Sequence, residues 1–194
     1  MNDGIRLATA SDSDACQAIY APYVRDTMIS LEIDVPTREE YRTRIEDILA
    51  SGYPFLVYEK DGAVTGFAYA SRMMNREGYK YNASLSVYLS ENARGAGLGR
   101  KLYACILELL REQGYCNGFA VITLPNAASV GLQKAFGFRE IGVHKRTGYK
   151  FGRWCDVLWM EKDLGAPDNP PALRRVEEVP AEVLARCLAG AEKP

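Results

Sequence analysis

The sequence predicts an α/β fold with a mixed, largely antiparallel central sheet flanked by helices. Three observations carry this. The hydrophobic periods run strand, two helices, a three-strand antiparallel run, helix, strand, helix and two strands, which is not a repeating βαβ array. Asp61-Gly62 sits between two apolar runs, the signature of a tight hairpin, so at least part of the sheet is antiparallel. The 194 residues, 47% hydrophobic and 25% charged, suit one domain with an appendage and enough core to need no staples.

Ile5-Arg6-Leu7-Ala8 reads as the first strand. Ser11 and Asp14 offer a capping box for a helix through Ile19, which Pro22 kinks or ends. Thr37 and Glu40 form a second box ahead of the stripe Tyr41, Ile45, Ile48 and Leu49, and Gly52 closes that helix. Phe55 to Tyr58 and Val64 to Ala70 are the hairpin strands, with Gly66 marking a bulge. Tyr81 to Leu89 is the third strand of the run, and Leu85, Val87 and Leu89 share one face. A helix then opens near Gly99 with Leu98, Leu102, Ile106, Leu109 and Leu110 at helical spacing, and Gly114 closes it. Phe119 to Leu124 is a strand, Asn126 caps a helix to about Phe136, and Phe138 to Val143 and Trp154 to Glu161 are the final strands.

Beyond Leu164 the composition changes. Five of the nine prolines and no aromatic residue fall in this stretch. Residues 1–164 are expected to form the domain, and 165–194 a Pro-rich linker with a tail helix bearing Val183, Leu184 and Leu188. That tail is either peripheral or docked on the domain or a second subunit. Net charge is −1, which excludes a polycationic nucleic-acid binder. No run is long and apolar enough for a membrane helix, and Met1 to Arg6 does not resemble a signal peptide, so a cytoplasmic location without membrane partners is expected. The five cysteines are widely spaced and His144 is the one histidine, so reduced thiols and no metal site are expected.

The informative segment is Ser86 to Arg100. A strand enters a glycine-rich turn that enters a helix, which aims several backbone N–H groups at one point beside the positive helix end. Arg94 and Arg100 add full charges, so the natural ligand is a phosphate or pyrophosphate. Neither the Walker A nor the Rossmann spacing fits, because the glycines run GxGxG and Arg100 stands fifth after Gly95.

Arg94-Gly95-Ala96-Gly97-Leu98-Gly99 resembles the R/Q-x-x-G-x-G/A signature of the GNAT N-acetyltransferases. Three further stretches resemble the phosphinothricin N-acetyltransferase subgroup: Ser30 to Pro36, Ile122 to Val130, and Gly148 to Val157 with its G-x-K-x-G-x-W-x-D-V pattern. The resemblance implies strands splayed at an acetyl-CoA site. There the backbone at Val87, Tyr88 and Leu89 meets the pantetheine arm. The amides from Gly95 through Ala96, Gly97, Leu98 and Gly99 to Arg100 hold the pyrophosphate, and Asn126 and Ser129 lie at the cofactor. It implies a small-molecule amine acceptor of the phosphinothricin or methionine sulfone type, and a homodimer with its contact near Lys150 to Trp154.

The pattern is broken where the chemistry is expected. The subgroup carries a glutamate three residues before the Val of its V-Y-V strand, and here Ser84 stands there, a poor base. The Tyr or His common in the family ahead of the Gly-Phe turn is here Gln133, which does not titrate. Glu32 is the substitute candidate, as a base, as a partner for the substrate ammonium, or as a solvated loop charge. His144, the one imidazole, is the other candidate. Tyr88 points away from Val87 and Leu89, which favours packing. Lys150, Trp154 and Asp156 either form a slot for an amino-acid carboxylate or are a strand pair with Lys150 and Asp156 in contact. The broken pattern leaves two functions standing: an acetyl-CoA-dependent acetyltransferase, and a catalytically weak CoA-binding sensor or interaction module. A protein-directed acetyltransferase ranks below them, since no acidic groove for basic tails is visible.

Overall fold

The computed structural model describes residues 3–165 and 167–189. Met1, Asn2, Ala166 and residues 190–194, which belong to the two expected segments, lie outside the described residues. The strands are β1 (Gly4–Leu7), β2 (Phe55–Lys60), β3 (Ala63–Arg72), β4 (Asn82–Leu89), β5 (Asn117–Leu124), β6 (Arg139–Lys150) and β7 (Arg153–Asp163). The helices are α1 (Ser13–Asp26), α2 (Arg38–Ala50), α3 (Leu98–Gln113), α4 (Ala127–Ala135) and α5 (Ala181–Leu188). They assemble on one seven-stranded sheet in the order β1-β2-β3-β4-β5-β7-β6, antiparallel except where β4 meets β5.

Alternation along the strands sorts the two faces. Phe67 and Tyr88 turn toward α1 and α2, where the Tyr88 ring meets Tyr20 edge-on at 4.9 Å and Phe67 meets Tyr41 at 6.1 Å. The other face carries Gly66, Leu85 and Leu89 toward α3, whose Leu98, Leu102, Ile106, Leu109 and Leu110 are all buried. The bulge expected at Gly66 is there. The register passes from Tyr58↔Gly66 to Glu59↔Val64, so Thr65 is the extra residue. A Cβ on Gly66 would stand 2.5 Å from Leu89 Cδ2, so the close approach requires glycine.

Three local expectations change. Helix α1 runs through Pro22 to Asp26, since Ile19, Tyr20, Tyr23 and Val24 are buried on the sheet and this packing outweighs the lost backbone bond. The entry to α1 is capped from Thr9 and Asp12 rather than from Ser11 and Asp14, and Arg6 grips the Asp12 carboxylate with both arms at 2.8 and 2.7 Å. Strand β6 continues past Val143 to Lys150 through a bulge. There Arg146 takes φ 52°, and Asp156 accepts from Lys145 Nζ at 2.8 Å and the Arg146 amide at 2.9 Å.

The segment after Leu164 packs on its own domain. The buried Gln113 amide donates to the carbonyls of Gly52 at 2.7 Å and Arg174 at 2.9 Å, and the Val176 amide returns to Gly52 at 3.0 Å. Val176, Val179, Val183 and Cys187 are buried in the common core, with Leu184 and Leu188 packed beside them. The apolar face of α5 therefore packs on α3 of its own domain.

Candidate functional site

Strands β4 and β5 run parallel only from Asn82↔Asn117 to Ser84↔Phe119 and then part. Their divergence opens a cleft of about 520 Å³ whose walls are the second halves of both strands. The Tyr23 hydroxyl reaches into the widening gap, donating to the Leu89 carbonyl at 2.6 Å and accepting from the Leu89 amide at 3.3 Å. Both backbone groups of Leu89 are thus already paired. No motif marks Tyr23 in the sequence, where it is a second tyrosine one helical turn after Tyr20.

Beyond Leu89 the chain makes a short 3-10 turn and enters the glycine segment. Gly95 and Gly97 adopt φ of +79° and +77°, with nothing within 4 Å of the place a Cβ would occupy. Gly97 is the N-cap of α3 and brings no side chain to the cap, so the first-turn amides face outward with the helix dipole behind them. Two stacked cations flank this turn: Arg94 lies 5.0 Å from the Tyr23 ring centre and Arg100 lies 5.5 Å from that of Phe136. On the far wall Asn126 caps α4 by accepting from the Ser129 amide at 3.1 Å.

Val87, Tyr88 and Leu89, then Arg94, Gly95 and Gly97, then Leu98, Gly99 and Arg100, with Asn126 and Ser129 opposite, all line this one cleft. Ala96 does not line it. A slot with a glycine turn and two cations at one end and apolar walls along its length fits a ligand with a pyrophosphate head and a thin, mostly apolar arm.

The acceptor-side candidates lie elsewhere. Ser84 stands where the strands are still paired, between Ser71 and Phe119, and does not line the cleft. Gln133 does line it, and its Oε1 accepts from the buried Tyr103 hydroxyl at 2.7 Å. His144 sits on the edge strand against Trp159 at 5.8 Å, two strands away from β5, and is not part of the cleft.

Glu32 belongs to a loop whose Ile29 lines the cleft. Its Oε1 accepts from the Tyr20 hydroxyl at 2.9 Å and pairs with Arg44 Nη1 at 3.0 Å. Burial pushes the Tyr20 phenol up to about 12. Burial also raises Tyr69 and Tyr88, so these phenols stay protonated and cannot take a proton near neutrality.

The Lys150 constellation is corrected. Lys150 is buried, and its Nζ donates to the carbonyls of Val24 at 2.5 Å and Ser30 at 2.8 Å, so it anchors the Glu32 loop instead of meeting a substrate carboxylate. Burial lowers its pKa, and the nearby Glu32 charge opposes that shift. Gly148 serves the same contact, since a Cβ there would lie 2.8 Å from both Leu31 methyls. Trp154 is 52% exposed beside Tyr149, on the side of the hairpin that Lys150 turns away from, so the two do not share a slot. Asp156 pairs with Lys145 instead of Lys150.

Comparison with known proteins identifies the family. The family described as acetyltransferase (GNAT) domain matches residues 5–159. A phosphinothricin N-acetyltransferase of Alcaligenes faecalis is 37% identical over 166 residues, covering 85% of this chain and 84% of the relative. A crystal structure of a phosphinothricin acetyltransferase from Sinorhizobium meliloti in complex with AcCoA superposes with a TM-score of 0.84 at 34% identity, covering 88% of this chain and 94% of that one. A crystal structure named ribosomal-protein-alanine N-acetyltransferase, from Brucella melitensis, superposes with a TM-score of 0.80 at 39% identity, covering 82% of this chain and 98% of that one.

Proposed function

This chain belongs to the GNAT acetyltransferase family, and from that premise we propose that it transfers the acetyl group of acetyl-CoA to the free amine of a small amino-acid analogue of the phosphinothricin or methionine sulfone type. The observation that carries the reading is the single cleft joining the splayed strands to the glycine turn. In this reading the amides of Gly97 to Gly99 and the Arg94 and Arg100 cations hold the pyrophosphate, Val87 orients the arm, and Asn126 and Ser129 close the opposite wall.

When bound, acetyl-CoA supplies an acetyl thioester. A C–N bond forms as the C–S bond breaks, the nitrogen sheds a proton and the sulfur gains one. An ammonium has no lone pair, so the reacting amine must be neutral. The phenols around the cleft are locked in their protonated form, Ser84 lies outside it and Gln133 does not titrate. The cleft walls thus offer no titrating base, and in this reading the protein acts by holding the neutral amine against the thioester.

A thiol-release assay with acetyl-CoA across amino acids, amino-acid analogues and a ribosomal-protein N-terminal peptide tests the reading. CoA release with a small amino-acid analogue supports it, and release with the peptide alone points to a protein acceptor. CoA binding without release with any amine leaves the sensor or interaction module.

Two further proposals accompany this one. Tyr149, Phe151 and Trp154 are each more than half exposed on the β6–β7 hairpin, and we propose that a second copy of the chain covers them in a homodimer. The cysteines Cys16, Cys105, Cys116, Cys155 and Cys187 are free and buried, which supports a reducing, cytoplasmic setting. No helix among the described residues is long and apolar enough to cross a membrane.

A further inference from the structure

Helix α2 brings a cation to the acceptor side that no sequence motif marks. Arg44 directly precedes the buried Ile45, and its guanidinium lies over two aromatic rings, 5.1 Å from the centre of Tyr41 and 5.6 Å from that of Tyr20. Nη1 pairs with Glu32 Oε1 at 3.0 Å, with the two side chains 30% and 38% exposed. Among the described residues Arg44 makes no second ion pair. The rings fix the plane of the fork, so its outward N–H groups are held in place before any ligand arrives.

Glu32 is held as firmly. Its amide donates to Ser30 Oγ at 3.2 Å, Ser30 and Tyr20 share a hydroxyl bond at 2.7 Å, and Tyr20 returns to Glu32 Oε1 at 2.9 Å. Every one of these side-chain contacts falls on Oε1.

Arg44 and Glu32 do not line the cleft themselves, and two of its wall residues lie one contact away. The ring of Tyr20, which bonds Glu32, lies 4.9 Å from that of Tyr88 in the cleft wall. Tyr69, close enough to Arg44 and Glu32 to feel both charges, stands directly across the strands from Ser86, another wall residue.

We infer that Arg44 holds the α-carboxylate of the acceptor, with the Glu32 carboxylate facing the neighbouring amino group. The assignment rests on the small-amine reading above and names the residue that restricts it to amino acids. The amino and carboxylate groups of an α-amino acid are separated by one carbon. A partly exposed carboxylate and guanidinium 3.0 Å apart present the opposite charges at matching spacing. An amine without a carboxylate would leave the fork unpaired and lose that contact.

The test compares L-methionine sulfone with its α-carboxamide as acceptors for the unaltered protein, Arg44→Met and Arg44→Lys. Methionine keeps an unbranched stem against the rings and removes the charge. The unaltered protein is expected to prefer the acid, and Arg44→Met to lower kcat/KM for the acid about tenfold or more. The loss should come through acceptor KM. The amide should stay within about threefold, and KM for acetyl-CoA should be unchanged. Arg44→Lys is expected to restore part of the acid preference, because a point charge replaces the fork.

An unchanged acid-to-amide ratio in Arg44→Met overturns the assignment while the acetyltransferase reading stands. So does equal use of acid and amide by the unaltered protein. Acetylation of neither compound overturns both. If Arg44→Met loses its thermal shift with CoA, Arg44→Lys decides: an intermediate ratio supports the assignment and an unchanged one overturns it.

Discussion

The hydroxyl of Tyr23 and the backbone of Leu89 are joined by two hydrogen bonds, 2.6 Å to the carbonyl and 3.3 Å from the amide, at the point where β4 has left β5. Tyr23 thereby occupies a strand edge that has lost its neighbour. The same ring supports the Arg94 guanidinium at 5.0 Å, so one side chain links the open strand to the cationic turn. Tyr23→Phe keeps the ring and removes both bonds. It is expected to lower unfolding free energy by about 1 kcal/mol in denaturant titration, and an unchanged midpoint and slope would sink the role given to the hydroxyl.

The glycine turn makes the most direct prediction. CoA at about 100-fold over its Kd should raise the unfolding free energy by roughly 2.7 kcal/mol. Gly97→Val should abolish that shift, because valine is strained at φ +77° and its branched side chain would fill the space before the α3 amides. The absence of any thermal shift with CoA or acetyl-CoA in the unaltered protein would refute the cofactor assignment.

Lys150 and Gly148 hold the acceptor loop from beneath. Lys150→Met leaves the carbonyls of Val24 and Ser30 without their donor, and a loss of about 1–3 kcal/mol is expected. Gly148→Ala would press on Leu31 and on Cys155 Sγ, 2.6 Å from the new Cβ. Raised acceptor KM with unchanged acetyl-CoA KM is the expected kinetic signature. A rise in acetyl-CoA KM alone would contradict the placement of this loop on the acceptor side.

Ser84 is predicted not to be a base. Ser84→Ala should leave turnover within about tenfold, whereas removing a working general base costs about 10²–10⁴-fold. The rate should climb with pH toward the pKa of the amine itself, about 9 for an amino acid by analogy with other aliphatic amines. The Tyr20, Tyr69 and Tyr88 phenols, all raised by burial, contribute no step below that value. A plateau near neutrality would instead reveal a carboxylate or imidazole base.

Acid stability reports on Asp12. Burial alone would raise its pKa, but the bonds from Arg6 and Thr9 outweigh burial and hold it below the ordinary 3.8. A depressed carboxylate stabilises the fold above its unfolded value and loses that contribution as pH falls through the folded one. Asp12→Asn should therefore be less stable than the unaltered protein at neutral pH, and the gap should shrink below about pH 3.8. A gap that stays constant down to pH 2 would rule out the charged pair as its cause.

Local chemistry made much of this protein legible from its residues alone. The Thr37–Glu40 box, the Asp61-Gly62 hairpin, the bulge at Gly66, the stripe of α3 and the Asn126 cap each depend on residues within a few positions, and each stands in the structure where its residues place it. The glycine turn is legible for the same reason, since backbone freedom and a helix end are short-range properties. Long-range packing decided the rest. Pro22 stays inside α1 because the residues around it are buried on the sheet. The Gly148 and Lys150 motif takes its meaning from a loop more than a hundred residues earlier, whose carbonyls only the folded chain brings to the lysine. Tyr23 at Leu89 and Arg44 at Glu32 are likewise contacts between distant segments, and neither leaves a periodic trace in the sequence. A charge or hydroxyl on a helix is read as surface until tertiary structure shows which carboxylate, ring or strand edge lies opposite it.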